Sequence, residues 1–365
     1  MVVNRLELEN FRNYKNAKTD FSDGINVIVG GNANGKTNML EAVYYLTGAK
    51  SFRAKTDREL IRFGEDNALI GSEITSQERQ QKIRAELSSV RKKAIFVNDK
   101  KIKSSSELSG KLTAVLFCPD DLSIIRSSPV YRRRLVDNCL CQLRPKYAAA
   151  LSEYRKLYEH KTRILKDGDK DMLSVLDEFN TRMCEVSAVL ISYRARFVSL
   201  LEQYASEIHM DFSGGKENLK IAYKTVKTIK DPFAKPSELI TPLYEHMQSH
   251  KQAEFDAKRC LSGAHKDDLE ISINDIDAKS YASQGQTRTA AISLKLAERN
   301  IHFKDNGEYP ILLLDDVLSE LDASRQDFIL NRINEGQILI TCCEDQNIFE
   351  KTGGRVLNIK NGEVF

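Results

Sequence analysis

Gly30-Gly31-Asn32-Ala33-Asn34-Gly35-Lys36-Thr37 fits the phosphate-loop pattern G-x-x-x-x-G-K-[ST]. It sits between an apolar run, Ile25-Asn26-Val27-Ile28-Val29, that reads as a strand and a stretch over 38–46 that reads as a helix. Glycines at 30, 31 and 35 let successive N–H groups point inward at phosphates, and the helix adds its positive end. All eight residues are therefore candidate nucleotide contacts: Lys36 would reach the β- and γ-phosphates and act in catalysis, and the Thr37 hydroxyl would hold Mg²⁺. The cofactors expected are ATP and Mg²⁺.

A partner for this loop appears only near the far end of the chain. Ile311-Leu312-Leu313-Leu314-Asp315-Asp316 is an apolar strand ending in two acids. The first, Asp315, would lie near Mg²⁺, and the second, Asp316, is the candidate base that orients or deprotonates the attacking water.

The 365 residues, 41% hydrophobic and 29% charged, are enough for a real core and exceed the usual single-core limit. A net charge of +3 decides nothing about nucleic acid. Seven cysteines show no zinc-site spacing and read as free thiols of a reducing cytosol. The start, Met1-Val2-Val3-Asn4-Arg5, lacks a signal-peptide core, and no apolar run approaches the ~18 residues of a membrane span. A cytoplasmic protein without membrane attachment is expected.

Alternating residues over 2–9, 68–74 and 82–87, with Ala94-Ile95-Phe96-Val97 before Asn98-Asp99, predict a strand-rich first third. Helical spacing takes over from about 130 to 209 and again over 236–260, with a short strand at 219–223 between them. Strands return at 269–273, 310–314, 337–341 and 355–359. The expected fold is α/β: a P-loop ATPase head assembled from both chain ends (1–125 and 263–365) with an inserted, mostly helical lobe (126–262).

Ser283-Gln284-Gly285-Gln286 at a helix start resembles the signature of ABC-type ATPases, and Ser319-Glu320-Leu321-Asp322 resembles their D-loop. Ser283, Gly285, Gln286 and Asp322 join the candidate ATP contacts on that resemblance. A serine hydroxyl, a glycine N–H and a helix dipole form a second anion site. In the ABC-type arrangement this site closes on the nucleotide of another subunit, which implies an ATP-dependent homodimer.

The chain as a whole resembles the RecF family, compact relatives of the SMC proteins. The matches are Leu8-Glu9-Asn10-Phe11-Arg12-Asn13-Tyr14, Ser51-Phe52-Arg53, Phe117-Cys118-Pro119-Asp120-Asp121-Leu122, Ser127-Ser128-Pro129 with Arg132-Arg133-Arg134, Tyr154-Arg155-Lys156 and Gly263-Ala264-His265-Lys266-Asp267-Asp268-Leu269. Ala264 and Lys266 stand where the family usually has Pro and Arg, and Asp120 where Glu is common. The resemblance implies that Arg12 contacts ATP and that single-stranded and gapped DNA is bound. It also implies RecO and RecR as partners, help to RecA in replacing single-strand-binding protein, and a part in replication and the SOS response. Asp316 replaces the glutamate of ABC transporters and no histidine follows the strand near Thr341, so a weak, DNA-dependent ATPase acting as a nucleotide-driven clamp is expected.

Basic clusters Arg91-Lys92-Lys93, Lys100-Lys101 with Lys103, and Arg132-Arg133-Arg134 are candidate DNA contacts, as are Arg155, Lys161, Arg163 and Lys166, although charge runs are often only solvated faces. Tyr147, Tyr154 and Tyr158 read as packing groups, and His265 with Asp267 and Asp268 as a turn. Two other readings remain open here. A small-molecule P-loop kinase would need neither signature nor D-loop, and a membrane transporter's ATPase subunit has a much shorter interval from P-loop to signature.

Overall fold

The computed structural model describes residues 1–77, 79–168, 173–343 and 352–365. The chain forms two compact units, residues 1–123 with 291–365, and residues 124–290.

The first unit contains a six-stranded sheet in the order β15-β14-β3-β13-β12-β8, drawn from both ends of the chain. Its strands are β3 (Ile25–Val29), β8 (Ala114–Phe117), β12 (Ile311–Asp315), β13 (Ile338–Cys342), β14 (Arg355–Lys360) and β15 (Glu363–Val364). All pairings are parallel except β14 with β15. Every residue of β8, β12 and β13 is buried, the pattern of strands covered on both faces. A second sheet is antiparallel, in the order β2-β1-β4-β5-β6-β7. It comprises β1 (Val2–Phe11), β2 (Tyr14–Asp20), β4 (Asn67–Ser76), β5 (Arg79–Ser88), β6 (Ala94–Val97) and β7 (Lys100–Lys101). Leu6, Leu8 and Ile70 from this sheet share one core with Leu313 and Leu339 from the other and with Met39, Leu40 and Val43 of α1 (Lys36–Tyr45). Joining two sheets and a helix in one apolar cluster fixes where the loop before α1 opens.

The second unit is built on α2 (Pro129–Leu143), α3 (Pro145–Asp167), α4 (Leu173–Phe212) and α5 (Pro236–Ala257). Proline opens α2, α3 and α5, where its missing N–H costs nothing. A small sheet, β11-β10-β9, joins β9 (Leu219–Lys224), β10 (Asp268–Ile273) and β11 (Ile276–Asp277), followed by α6 (Ala278–Tyr281) and the first turns of α7 (Gln284–Asn306).

The compact units change at 290/291, whereas local periodicity set the C-terminal part of the head to begin at 263. The reason is nonlocal: β10 pairs along its whole length with β9, from Asp268↔Lys224 to Ile273↔Leu219, so the segment after 263 folds with the helical lobe. A buried ionic network holds it there. Arg194 donates to Ala264 O and Asp267 Oδ2, each at 2.7 Å, and to Asp137 Oδ1 at 2.9 Å; Tyr223 and Thr225 also donate to Asp267. Burial pushes the Asp267 carboxyl up, against the pull of Arg194 and the two hydroxyls. Removing one partner from such a pair leaves an uncompensated charge, a loss of about 3–5 kcal/mol.

Two candidate DNA contacts are corrected by these interiors. Arg132 is buried and paired through two hydrogen bonds with Asp268, at 2.7 and 2.9 Å. Lys161 is fully buried, 2.6 Å from Glu254. Neither is available to a phosphate. Arg134, Arg155, Arg163, Lys166 and all three members of the 91–93 cluster are exposed, although Lys93 also contacts Tyr45 and Asp57. Tyr147 and Tyr154 are buried, as packing groups should be.

Candidate functional site

The loop over 30–37 leaves β3 and enters α1 through Gly35, whose φ of 116° favours glycine. A Cβ at Gly35 would meet Asn13 at 2.7 Å, and one at Gly30 would come within 2.3 Å of the Ile359 carbonyl oxygen. Gly30 is thus required by close approach to backbone, and Gly35 by its positive φ. No described side chain caps α1, so its first N–H groups receive no cap hydrogen bond. Asn13 Nδ2 donates to Asn34 O at 2.8 Å and Tyr14 Oη to Gly35 O at 2.9 Å, bracing the loop from the β1–β2 hairpin. On the other side, Gly362 N donates to Asn34 O at 3.1 Å.

Lys36 is 4% exposed, and its ammonium donates to Gly30 O at 2.7 Å and lies 3.2 Å from Cys343 Sγ. The Cys343 thiol in turn contacts Asn32 Oδ1 at 3.0 Å. The lysine therefore spans the mouth of its own loop.

Thr37 Oγ1 donates to Asp315 Oδ1 at 2.8 Å. β12, which ends in Asp315, does not touch β3; β13 lies between them, and Thr341 on it is registered with Asp315 on one side and Ile28 on the other. Thr341 Oγ1 lies 3.0 Å from the same carboxylate oxygen and accepts from Asp316 N at 2.8 Å. Burial pushes the Asp315 carboxyl up, partly offset by the two hydroxyls and reinforced by the charge of Asp316. A bound divalent cation would remove that penalty, and a hydroxyl beside a carboxylate is the hard-oxygen donor set that suits Mg²⁺. Asp316 is half-buried and adopts φ 49°, a left-handed conformation that costs a non-glycine residue energy and turns the chain sharply off the strand.

Arg12, also left-handed at φ 53°, donates from Nε and Nη2 to the two oxygens of fully buried Glu41, each at 2.8 Å, and from Nη1 to Glu59 O at 2.9 Å. Ser51 bonds the same Glu41 carboxylate. Arg12, Arg53, Arg58, Arg62 and the fully exposed Phe63 line a groove of about 1200 Å³ that reaches the loop at Ala33.

Asp322 is the N-cap of α8 (Ala323–Arg332), accepting from Arg325 N at 3.0 Å; that N–H, with the Arg325 guanidinium, holds its carboxyl below the usual range. The 283–286 stretch lies in the other unit. Ser283 and Gln286 close a reciprocal cap at the start of α7: Gln286 N donates to Ser283 Oγ at 3.1 Å and Ser283 N to Gln286 Oε1 at 2.8 Å. Gln286 Nε2 also donates to Glu217 Oε1 at 2.8 Å.

Thr341, Glu41 and Glu217 escaped the sequence reading. Thr341 carries a weak signal as a hydroxyl in an otherwise apolar strand, and Glu41 as an acid on a buried helix face. Glu217 carries none, because its contact joins segments 69 residues apart.

The family model "RecF/RecN/SMC N terminal domain" matches residues 2–362. The chain is 35% identical over 365 residues to the DNA replication and repair protein RecF of Clostridium tetani, covering 100% of this chain and 99% of that protein. To its counterpart from Bacillus mycoides it is 38% identical over 371 residues, covering 100% and 98%. Among solved structures, the recombination mediator protein RecF-ATP in the RecFOR pathway superposes with a TM-score of 0.90 at 31% identity, covering 100% of this chain and 96% of the other. An Smc head bound to the C-terminal winged-helix domain of ScpA shares the fold, with a TM-score of 0.59 at 18% identity, covering 100% and 96%. An ATPase-head fold with a P-loop joined to a distant acidic strand, matched end to end by these relatives, places the chain in the RecF family of SMC-type proteins.

Proposed function

We propose that this protein is an ATP-dependent DNA-binding protein of recombinational repair and replication, acting at single-stranded gaps and junctions in the cytoplasm. The observation that carries the reading is the 2.8 Å hydrogen bond between Thr37 and Asp315, residues 278 apart, at the mouth of a glycine loop whose helix has no side-chain cap. Family membership supplies the cellular setting, with RecO and RecR as expected partners, help to RecA in displacing single-strand-binding protein, and a part in the SOS response.

Residues 30–37 cradle the phosphates through backbone N–H groups, and Lys36 exchanges the loop carbonyls for the terminal phosphates. Thr37 and Asp315 are the residues to hold Mg²⁺, which when bound neutralises phosphate charge. Asp316, turned off the strand by its left-handed backbone, orients the attacking water. Arg12 lines the groove that reaches the loop at Ala33, its guanidinium oriented by Glu41, and contacts ATP there. Ser283, Gly285 and Gln286 of a second copy complete the γ-phosphate's open face, with Asp322 at the adjoining turn, so ATP drives homodimerisation and hydrolysis is slow.

Sedimentation with and without ATP, in the presence of gapped duplex DNA, tests the reading. ATP-dependent dimers that bind the gapped DNA support it. A monomer in ATP that binds no DNA overturns it, and turnover of a phosphorylated metabolite would favour a kinase instead.

A further inference from the structure

Within the helical unit, Arg133, Arg155, Arg194, Tyr154, Tyr158 and His265 surround a small cleft of about 120 Å³, with Asp137 and Leu151 at its wall. The polar groups at its base are already matched. Arg194 is bound by Asp137, Asp267 and the Ala264 carbonyl. His265 Nε2 lies 3.3 Å from the Cys260 carbonyl, which only accepts, so Nε2 carries the proton and Nδ1 accepts from Tyr154 Oη at 2.7 Å. Burial pushes His265 down to about 4, so the ring is neutral near pH 7.

The other two arginines keep unused donors among the described residues. Arg133 is half-buried and, among the described residues, makes one hydrogen bond, to Asp267 O at 2.5 Å, out of the five donors of a guanidinium. Burial, and then the charge of Arg194, push the Arg133 guanidinium down, against the pull of Asp267, Asp137 and Asp268. Arg155 is exposed and has neither a hydrogen bond nor an ion pair among the described residues. A half-buried guanidinium with most of its donors unused, beside a second arginine without a partner among the described residues, offers N–H groups on one cleft to an oxyanion. The volume admits one small oxyanion with a few waters, and planar guanidinium groups match phosphate through paired N–H···O bonds.

We propose that the Arg133–Arg155–His265 cleft of the helical unit binds a single phosphate group. The same chemistry is offered by a nucleic-acid end, an internal phosphodiester or free inorganic phosphate. The site does not involve the P-loop and does not rest on the ATP reading.

The test is carried out on full-length protein with ring-labelled histidine. Six histidines make the spectrum tractable, and His265 is assigned by its absence in His265→Gln. Inorganic phosphate, titrated against chloride at constant ionic strength, should move the His265 resonance saturably. Arg133→Gln and the exposed Arg155→Gln should each weaken that titration by about tenfold, the loss of a hydrogen bond to a charged group. Lys36→Ala separates this response from phosphate bound at the P-loop and should leave it in place. A single-stranded oligonucleotide ending in a phosphate monoester and the same oligonucleotide ending in a hydroxyl distinguish the sources. Competition by the first alone assigns a strand end, by both the backbone, and by neither the free ion. No His265 shift at saturating phosphate, or an unaltered titration in Arg155→Gln, overturns the proposal.

Discussion

The two proposed anion sites of this chain each lie at a helix start, and they differ in what already occupies them. At residues 30–37 the helix begins at a glycine with no capping side chain, and the loop carbonyls are held by Lys36 at Gly30, by Asn13 at Asn34 and by Tyr14 at Gly35, none of which takes up the N–H groups of the helix start. At residues 283–286 the cap is closed: Ser283 and Gln286 satisfy each other's backbone N–H groups, and Glu217 takes the glutamine amide. An open helix start accepts a ligand as it stands. A closed one must first give up internal hydrogen bonds, each worth about 1 kcal/mol net. On the proposed reading, nucleotide settles on the first stretch and a second copy's 283–286 engages afterward.

The largest effect should come from chemistry beside the first stretch. Asp316→Asn should slow single-turnover ATP hydrolysis by ~10²–10⁴-fold with nucleotide affinity retained, trapping an ATP-bound dimer. A normal single-turnover rate would remove Asp316 from the role of base. Next, Lys36→Ala should weaken ATP binding on the order of 10²-fold, because it removes a charge aimed at the terminal phosphates. Calorimetry giving parental affinity would mean that the loop's openness is irrelevant to nucleotide.

Changes at the second stretch should spare binding and act on assembly. Ser283→Arg should leave monomer affinity for ATP intact while weakening ATP-driven dimerisation by about tenfold or more through bulk at the shared face. Mixing it with Lys36→Ala protein permits one heterodimer with an intact loop and an intact signature. Parental dimerisation and turnover by Ser283→Arg would reduce Ser283 to a helix cap.

The smallest effect is on stability. Because burial raises the Asp315 carboxyl in the fold, its ionised form costs stability at neutral pH, and that cost vanishes as pH falls below the unfolded carboxylate value of about 4. Asp315→Asn should therefore raise the thermal midpoint of the nucleotide-free protein at pH 7, by a few degrees at most, with the gain shrinking toward pH 4. It should also lose the tightening of ATP by Mg²⁺. A lower midpoint at pH 7 would show that the hydrogen bonds from Thr37 and Thr341 outweigh the desolvation.

Much of the first unit was legible because its signals are local. The strand before the loop, the left-handed glycine and the apolar run into Asp315 all follow from neighbours in sequence. β2 and β8 were not read: β2 is largely exposed and polar, and β8 has four residues, too few to show a period. Arg132 and Lys161 looked like surface cations, since nothing local announces the buried partners Asp268 and Glu254.

Residue types and their spacing alone specified the phosphate loop, the acidic strand and the candidate cap at 283–286, because backbone conformation, helix polarity and apolar runs are properties of short segments. Tertiary structure alone decided that β13 stands between β3 and β12, so that Thr341 fastens Asp315 and Asp316. It also assigned residues 263–290 to the helical unit. Strand order and ion pairing depend on which distant segments bury their surfaces together, and no local pattern encodes that choice.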